Sequence, residues 1–294
     1  MTDNSATATA KTATPTLKRR RVGGQLRRWR GTLKSGDAAK LMTWDSTRLS
    51  RVERGLYKIS AQDVRKLAAF YGIDDEAAVD EVARVAEDPP GGGWWRPYIG
   101  RVSDSLIDFI DLESDAVTVR MQHRSIVPGP LQSPGYVREM IGRAPMAVPP
   151  DRAETLVSIR LARQEILTRT EHPVNFHALV PESAFHATFE SGPAIMRDQL
   201  RRLLDLSELP NITIQILPMT THPAFGSNGA STILTFRHPW VPVASVDNPM
   251  GGTHTENPDQ VSYLETEFAG IARVALPADK SRDLITEHLE GLHK

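Results

Sequence analysis

The sequence predicts an all-α bundle of short helices at the amino terminus, followed by a larger α+β domain. Three observations carry that expectation. Apolar residues recur at helical spacing from about residue 18 to 88. Pro89-Pro90-Gly91-Gly92-Gly93 then breaks any helix and marks a linker. Beyond it, short alternating apolar runs interleave with helical stretches, the pattern of a mixed sheet with helices. The 294 residues suit about two domains at ~150 residues each, both large enough to bury a core.

Each element has a local reason. Residues 1–17 are Thr/Ala-rich with little to bury and read as a disordered tail. Lys18–Arg21 reads equally as a cationic arm or as the solvated start of a helix. From Val22 the spacing is helical, with Val22, Leu26, Trp29 and Leu33 on one face. A second short helix is expected at 35–42, with Ala38, Ala39 and Met42 inward. Asp45 stands at an N-cap position before a third helix, 46–54, which turns Leu49 and Val52 inward and stops at Gly55. Ser60-Ala61-Gln62-Asp63 has the form of an acidic capping box opening a fourth helix that ends at Gly72. An acidic helix over 75–87 completes the bundle. After the linker at 89–93, strands are expected at 117–121, 174–180, 211–217, 231–236 and 241–246. Helices are expected from Ser133 onward and at 151–169, 193–208, 258–275 and 278–292. Phe225-Gly226-Ser227-Asn228-Gly229 reads as a hairpin loop, and Glu265 and Glu267 as solvated charge.

Composition excludes several functions. With no cysteine there is no disulfide framework, iron–sulfur cluster, thiolate zinc site or cysteine nucleophile. No apolar run approaches the ~18 residues of a membrane span, and the opening residues lack a secretory apolar core. The expected location is the cytoplasm, on the nucleoid. The net charge of −1 hides a segregation: residues 1–72 hold 16 Lys+Arg against 5 Asp+Glu, and the remainder 19 against 31. A balance of +11 beside one of −12 is the signature of a basic module that meets a polyanion.

Four or five short helices, the second and third joined by a tight turn, form a helix-turn-helix arrangement. Its third helix enters the DNA major groove. With Leu49 and Val52 inward, Ser46, Thr47, Ser50 and Arg51 face out as candidate base contacts. Arg51 leads, because a guanidinium bonds guanine O6 and N7 together. Arg48 and Arg54, with Lys34 and Ser35 at the start of the second helix, are the candidate phosphate contacts, which set register without reading sequence.

Residues 22–71, above all TRLSRVERG, resemble the DNA-binding domain of the Cro/repressor or xenobiotic-response-element (XRE) type. That resemblance implies a structural ion pair between Arg28 on the first helix and Glu53 near the end of the third. It also implies Thr-Gln opening the second helix, where this chain has Lys34-Ser35. The segments GWWRPY, IVPGPLQSPGYVREM, RLARQEILTR and LPNITIQILP resemble the carboxy-terminal domain of WhiJ-like, antitoxin-like regulators of high-GC Gram-positive bacteria. The resemblance implies a homodimeric transcriptional regulator acting on double-stranded DNA with a small partner protein, residues 94–294 being the regulatory or partner-binding domain.

The competing readings are weaker. There is no His-Glu-x-x-His, P-loop, Gly-x-Gly-x-x-Gly or Gly-x-Ser-x-Gly motif, so no enzyme and no cofactor are expected. His172, His177 and His186 have no recognised metal-ligand spacing, so no metal is expected either. The alternative to partner docking is a ligand-sensing repressor with an effector pocket lined by residues such as Trp94, Trp95, Tyr98 and Phe109.

Overall fold

The computed structural model describes residues 16–88, 93–143, 149–222, 224–225, 229–247 and 252–292. The chain divides into two compact units, residues 1–90 and 91–294. Most of the expected tail and of the linker at 89–93 lies outside the described residues. Thr16 and Leu17 do not belong to a tail: Leu17 opens the first helix, and the Thr16 side chain accepts from the Arg19 amide.

The first unit is all-α: α1 (Leu17–Arg30), α2 (Ser35–Leu41), α3 (Ser46–Glu53), α4 (Ala61–Phe70) and α5 (Glu76–Glu87). The residues at 18–21 are therefore helix rather than arm. Its core is Leu26, Leu49, Val64, Leu67 and Val82, all fully buried. Leu33 is a correction: α1 ends at Arg30, and Leu33 is 44% exposed in the following turn. Asp45, Ser60 and Asp75 each accept the amide hydrogen three residues on, capping α3, α4 and α5. Gly55, at φ 71°, terminates α3 in the left-handed region.

Two glycines let α1 and the end of α3 touch backbone to backbone. A Cβ on Gly23 would stand 2.4 Å from the Val52 carbonyl oxygen, and one on Gly55 would stand 2.7 Å from the Arg20 amide nitrogen.

The second unit is a six-stranded mixed sheet with helices. Its strands are β1 (Thr118–Gln122), β2 (Asn175–Pro181), β3 (Ile212–Leu217), β4 (Ser231–Thr235), β5 (Val243–Val246) and β6 (Thr253–Thr255). Their order is β3-β2-β1-β4-β5-β6. The β1–β2 and β2–β3 pairs are parallel, while β1–β4, β4–β5 and β5–β6 are antiparallel. The helices are α6 (Asp104–Asp115), α7 (Pro134–Gly142), α8 (Pro150–Ala162), α9 (Ala194–Ser207), α10 (Pro258–Val274) and α11 (Ala278–Gly291). Phe268, Ile271 and Ala275 at the α10 end pack on Leu179 of β2 and Ile233 of β4.

Four expectations change here. The helix expected at 151–169 is α8 followed by a 3₁₀ segment, Arg163–Leu167. Residues 225–229 do not close a hairpin: β4 pairs with β1, not with the preceding β3, so the connection crosses the sheet, and residues 226–228 lie outside the described residues. Glu265 is not merely solvated, since it pairs with Arg120 of β1 at 2.8 Å. Trp94, Trp95 and Tyr98, expected as pocket residues in the alternative reading, form a core cluster with Ile110 and Ile159.

Candidate nucleic-acid interface

The first unit presents α3 as an amphipathic helix whose two faces are cleanly separated. Leu49 and Val52 are buried, Thr47, Arg48 and Ser50 are exposed, and Arg51 is half-buried. Of Ser46 only the backbone is described, as the first residue of α3. Asp45 holds the amino end through a 2.7 Å bond from the Arg48 amide, so the helix start is rigid where base edges would be met.

The structure gives the arginines of this face neighbours that residue spacing did not single out. The Arg48 guanidinium lies 4.5 Å from the centroid of the Trp44 ring in the turn before α3. The Arg51 guanidinium lies 5.1 Å from the Tyr57 ring centroid, and its Nη1 donates to the Tyr57 hydroxyl. Tyr57 itself is exposed. Stacking on an aromatic face leaves the in-plane N–H groups of a guanidinium available for carboxylate, phosphate or guanine acceptors. It also restricts the side chain before binding, so less rotamer entropy is lost on contact. Arg54 donates from Nε to the Ser50 carbonyl at 3.2 Å. Lys34 is the N-cap residue of α2 and Ser35 its first residue, and both are exposed.

The expected Arg28–Glu53 pair is not formed. Glu53 takes a bidentate pair from Arg30, Nε to Oε1 at 2.6 Å and Nη2 to Oε2 at 3.0 Å. Arg30 Nη1 also donates to the Leu33 carbonyl at 2.7 Å. Arg28 bonds Gln25 on its own helix. The helical period decides between the two arginines: Arg30 follows Leu26 by four residues and shares its inward face, whereas Arg28 follows it by two and points away. Through Arg30 the end of α1, the α1–α2 turn and the end of α3 are tied together. The hydrogen bond that Arg30 donates to Glu53 raises the Arg30 pKa above its ordinary value, against the opposing effect of burial. Burial, with the Glu53 charge adding to it, pushes the nearby Tyr71 hydroxyl up to about 12.

Comparison with protein families agrees with this geometry in the first unit and names the second. Residues 21–82 match a helix-turn-helix domain, and residues 106–287 match a domain of unknown function (DUF5753). The chain belongs to the DUF5753 family. No curated protein and no solved structure matches it. The helix-turn-helix domain makes this DUF5753 chain a DNA-binding regulator in general terms. No helix among the described residues is long and apolar enough to cross a membrane.

In the second unit the histidines are arranged otherwise than residue spacing implied. His177 bonds Gln215 at 2.8 Å and meets the Phe268 ring edge-on. Burial lowers the His177 pKa. His186 joins His288 and Glu182, with one ligand atom of each within 4.8 Å of the others. Two imidazoles and a carboxylate are a donor set suited to a transition metal; residue spacing missed it because His288 comes from α11, at the far end of the chain.

Proposed function

We propose that this protein is a sequence-specific transcriptional regulator of the XRE type that lays α3 in the DNA major groove. The observation that carries the reading is the face of exposed Thr47, Arg48 and Ser50 with half-buried Arg51, opposite buried Leu49 and Val52. Arg51, with Ser46, Thr47 and Ser50, reads base edges. Arg48, Arg54, Lys34 and Ser35 take phosphates. Heads of this kind act as dimers on half-sites about 34–36 Å apart, so the operator is a pseudo-palindrome and the protein a homodimer on the nucleoid. The second unit regulates the head by binding rather than catalysis, as an antitoxin-like module on which a small partner protein docks.

Selection of bound sequences from random duplex DNA tests the reading. The wild type enriches a symmetric site. Arg51→Ala relaxes one base position per half-site at a cost of about 1–3 kcal/mol, and Arg48→Ala weakens all sequences alike and flattens the salt dependence. Binding unchanged in the double variant refutes the assignment of α3.

A second reading, in which the second unit senses a small molecule, is favoured by one observation: a polar cavity of about 310 Å³ that Phe109 helps to line.

A further inference from the structure

That cavity lies beyond the carboxyl end of β1, where the sheet changes from parallel pairing with β2 to antiparallel pairing with β4. His123 follows β1 directly and contributes to the wall, as do Thr232 of β4 and Ser245 of β5. Carboxyl ends of strands at such a change in topology are where open α/β sheets hold ligands.

Two charged side chains of opposite sign line this space without pairing to each other. Arg160 comes from α8, and its one hydrogen bond among the described residues is a long 3.4 Å contact from Nη1 to Gln132 Oε1. Burial, reinforced by the neighbouring Arg163, lowers its pKa to about 10. Arg163 differs sharply: Glu113 holds it bidentately at 2.7 and 2.8 Å, and that carboxylate is fully buried. The Arg163–Glu113 pair is therefore self-neutralised, while Arg160 keeps a fork of donors with no carboxylate on it. A guanidinium taken out of water wants such a partner. Asp247, exposed at the end of β5, supplies the negative charge on the same cavity.

The remaining wall is pre-arranged. His254 stacks on Phe109 with ring centroids 5.7 Å apart. Its Nδ1 lies 3.1 Å from Ser245 Oγ and its Nε2 3.1 Å from Ser105 Oγ. Leu106 and Met121 extend the apolar side.

We infer that this cavity binds a small organic carboxylate that carries a hydrogen-bond donor beside the carboxylate, such as an amino or hydroxy acid with an apolar body. The carboxylate bonds the Arg160 fork, the donor faces Asp247, and the apolar part lies on Phe109, Leu106 and Met121. Asp247 disfavours a doubly charged phosphate, because its carboxylate repels the second negative charge. The volume is at the small end of ligand pockets, which suits a compact metabolite. Its regulatory meaning rests on the second unit controlling the head, whereas the binding itself does not.

Isothermal titration of the full chain without DNA, at constant ionic strength, tests the assignment with phenylalanine, phenyllactate, benzoate and inorganic phosphate as probes. We expect saturable binding of phenylalanine or phenyllactate, at least tenfold tighter than benzoate or phosphate. Arg160→Gln should lose tenfold or more for every carboxylate. Asp247→Asn should bring the donor-bearing probes down to the benzoate level. Arg152→Gln, an exposed arginine on the same helix, should change nothing. Should Arg160→Gln fail to fold, a shift of the Arg160 Nε–Hε resonance in the wild-type ¹⁵N spectrum on adding probe gives the same reading. No saturable binding at millimolar concentration, binding that survives Arg160→Gln in the folded protein, or phosphate bound as tightly as the organic acids overturns the proposal. A gel shift on the selected operator separates the two levels. Probe binding with unchanged DNA affinity keeps the cavity assignment and removes its sensing role. Loss of DNA binding in the α3 variants bears on α3 alone.

Discussion

Replacing Glu53 by Ala should unfold the DNA-reading unit far more readily, through a charge left behind rather than a contact removed. The Glu53 side chain is 8% exposed and that of Arg30 15%. The substitution deletes both Glu53 bonds and leaves Arg30 only the Leu33 carbonyl. Breaking a buried pair from one side costs about 3–5 kcal/mol. The residual solvent contact of Arg30 places this case near the lower end, at about 3 kcal/mol, or roughly a hundredfold in the unfolding equilibrium. Arg28→Ala removes the two bonds that an exposed arginine makes to the buried Gln25 oxygen and should cost about 1 kcal/mol. The paired replacement Arg30→Met with Glu53→Met should recover most of the loss, since no buried charge then remains. Hydrogen-exchange mass spectrometry on the full chain reads the effect locally: peptides from α1 and α3 should lose protection in Glu53→Ala while those from β1 and β2 keep theirs. A Glu53→Ala loss below ~1 kcal/mol, or an Arg28→Ala loss equal to it, would refute the reasoning.

Gly23→Ala drives a Cβ to 2.4 Å from the Val52 carbonyl and should abolish specific DNA binding while leaving the second unit folded, as read by gel shift and circular dichroism. Gly24→Ala meets nothing closer than the Arg28 guanidinium at 3.9 Å and should instead stabilise the head by about 0.5–1 kcal/mol in thermal melts. Tyr57→Ala removes the platform under Arg51. Operator affinity should fall by about 0.5–1 kcal/mol in a binding titration, with the base preference retained, unlike Arg51→Ala. Burial lowers the pKa of both His123 and His177 below 6.5, so the unfolded chain binds protons first as pH falls. Stability of the second unit should thus be full above pH 6.5 and decline as pH drops through the folded values. Melting curves across that window should flatten in His177→Gln; an unchanged slope counts against the buried-histidine account.

Much of the head was legible because its signals are local. Asp45 and Ser60 cap helices by reaching three residues along the chain, and Gly55 stops α3 by its own backbone freedom. The inward Leu49 and Val52 follow from the helical period alone. The Arg30–Glu53 pair was within reach of the same period, since Arg30 shares the Leu26 face; a family position assigned to Arg28 displaced it. Tyr57 was not legible, because it reaches Arg51 only after the chain turns at Gly55. Gly23 looks like a helix-weakening residue until the α3 backbone lies against it.

The sequence by itself determined that a basic helical head precedes a mixed α/β body, where most helices and strands begin and end, and which face of α3 looks outward. Those properties depend on residues within a turn or a strand repeat of one another. Only the tertiary structure decided the strand order, the short β6, and the meeting of Gln132, Arg160, Arg163, Asp247 and His254 around one cavity. These residues are separated by long stretches of chain, and what joins them is strand pairing and the packing of α6 and α8, which no local period records.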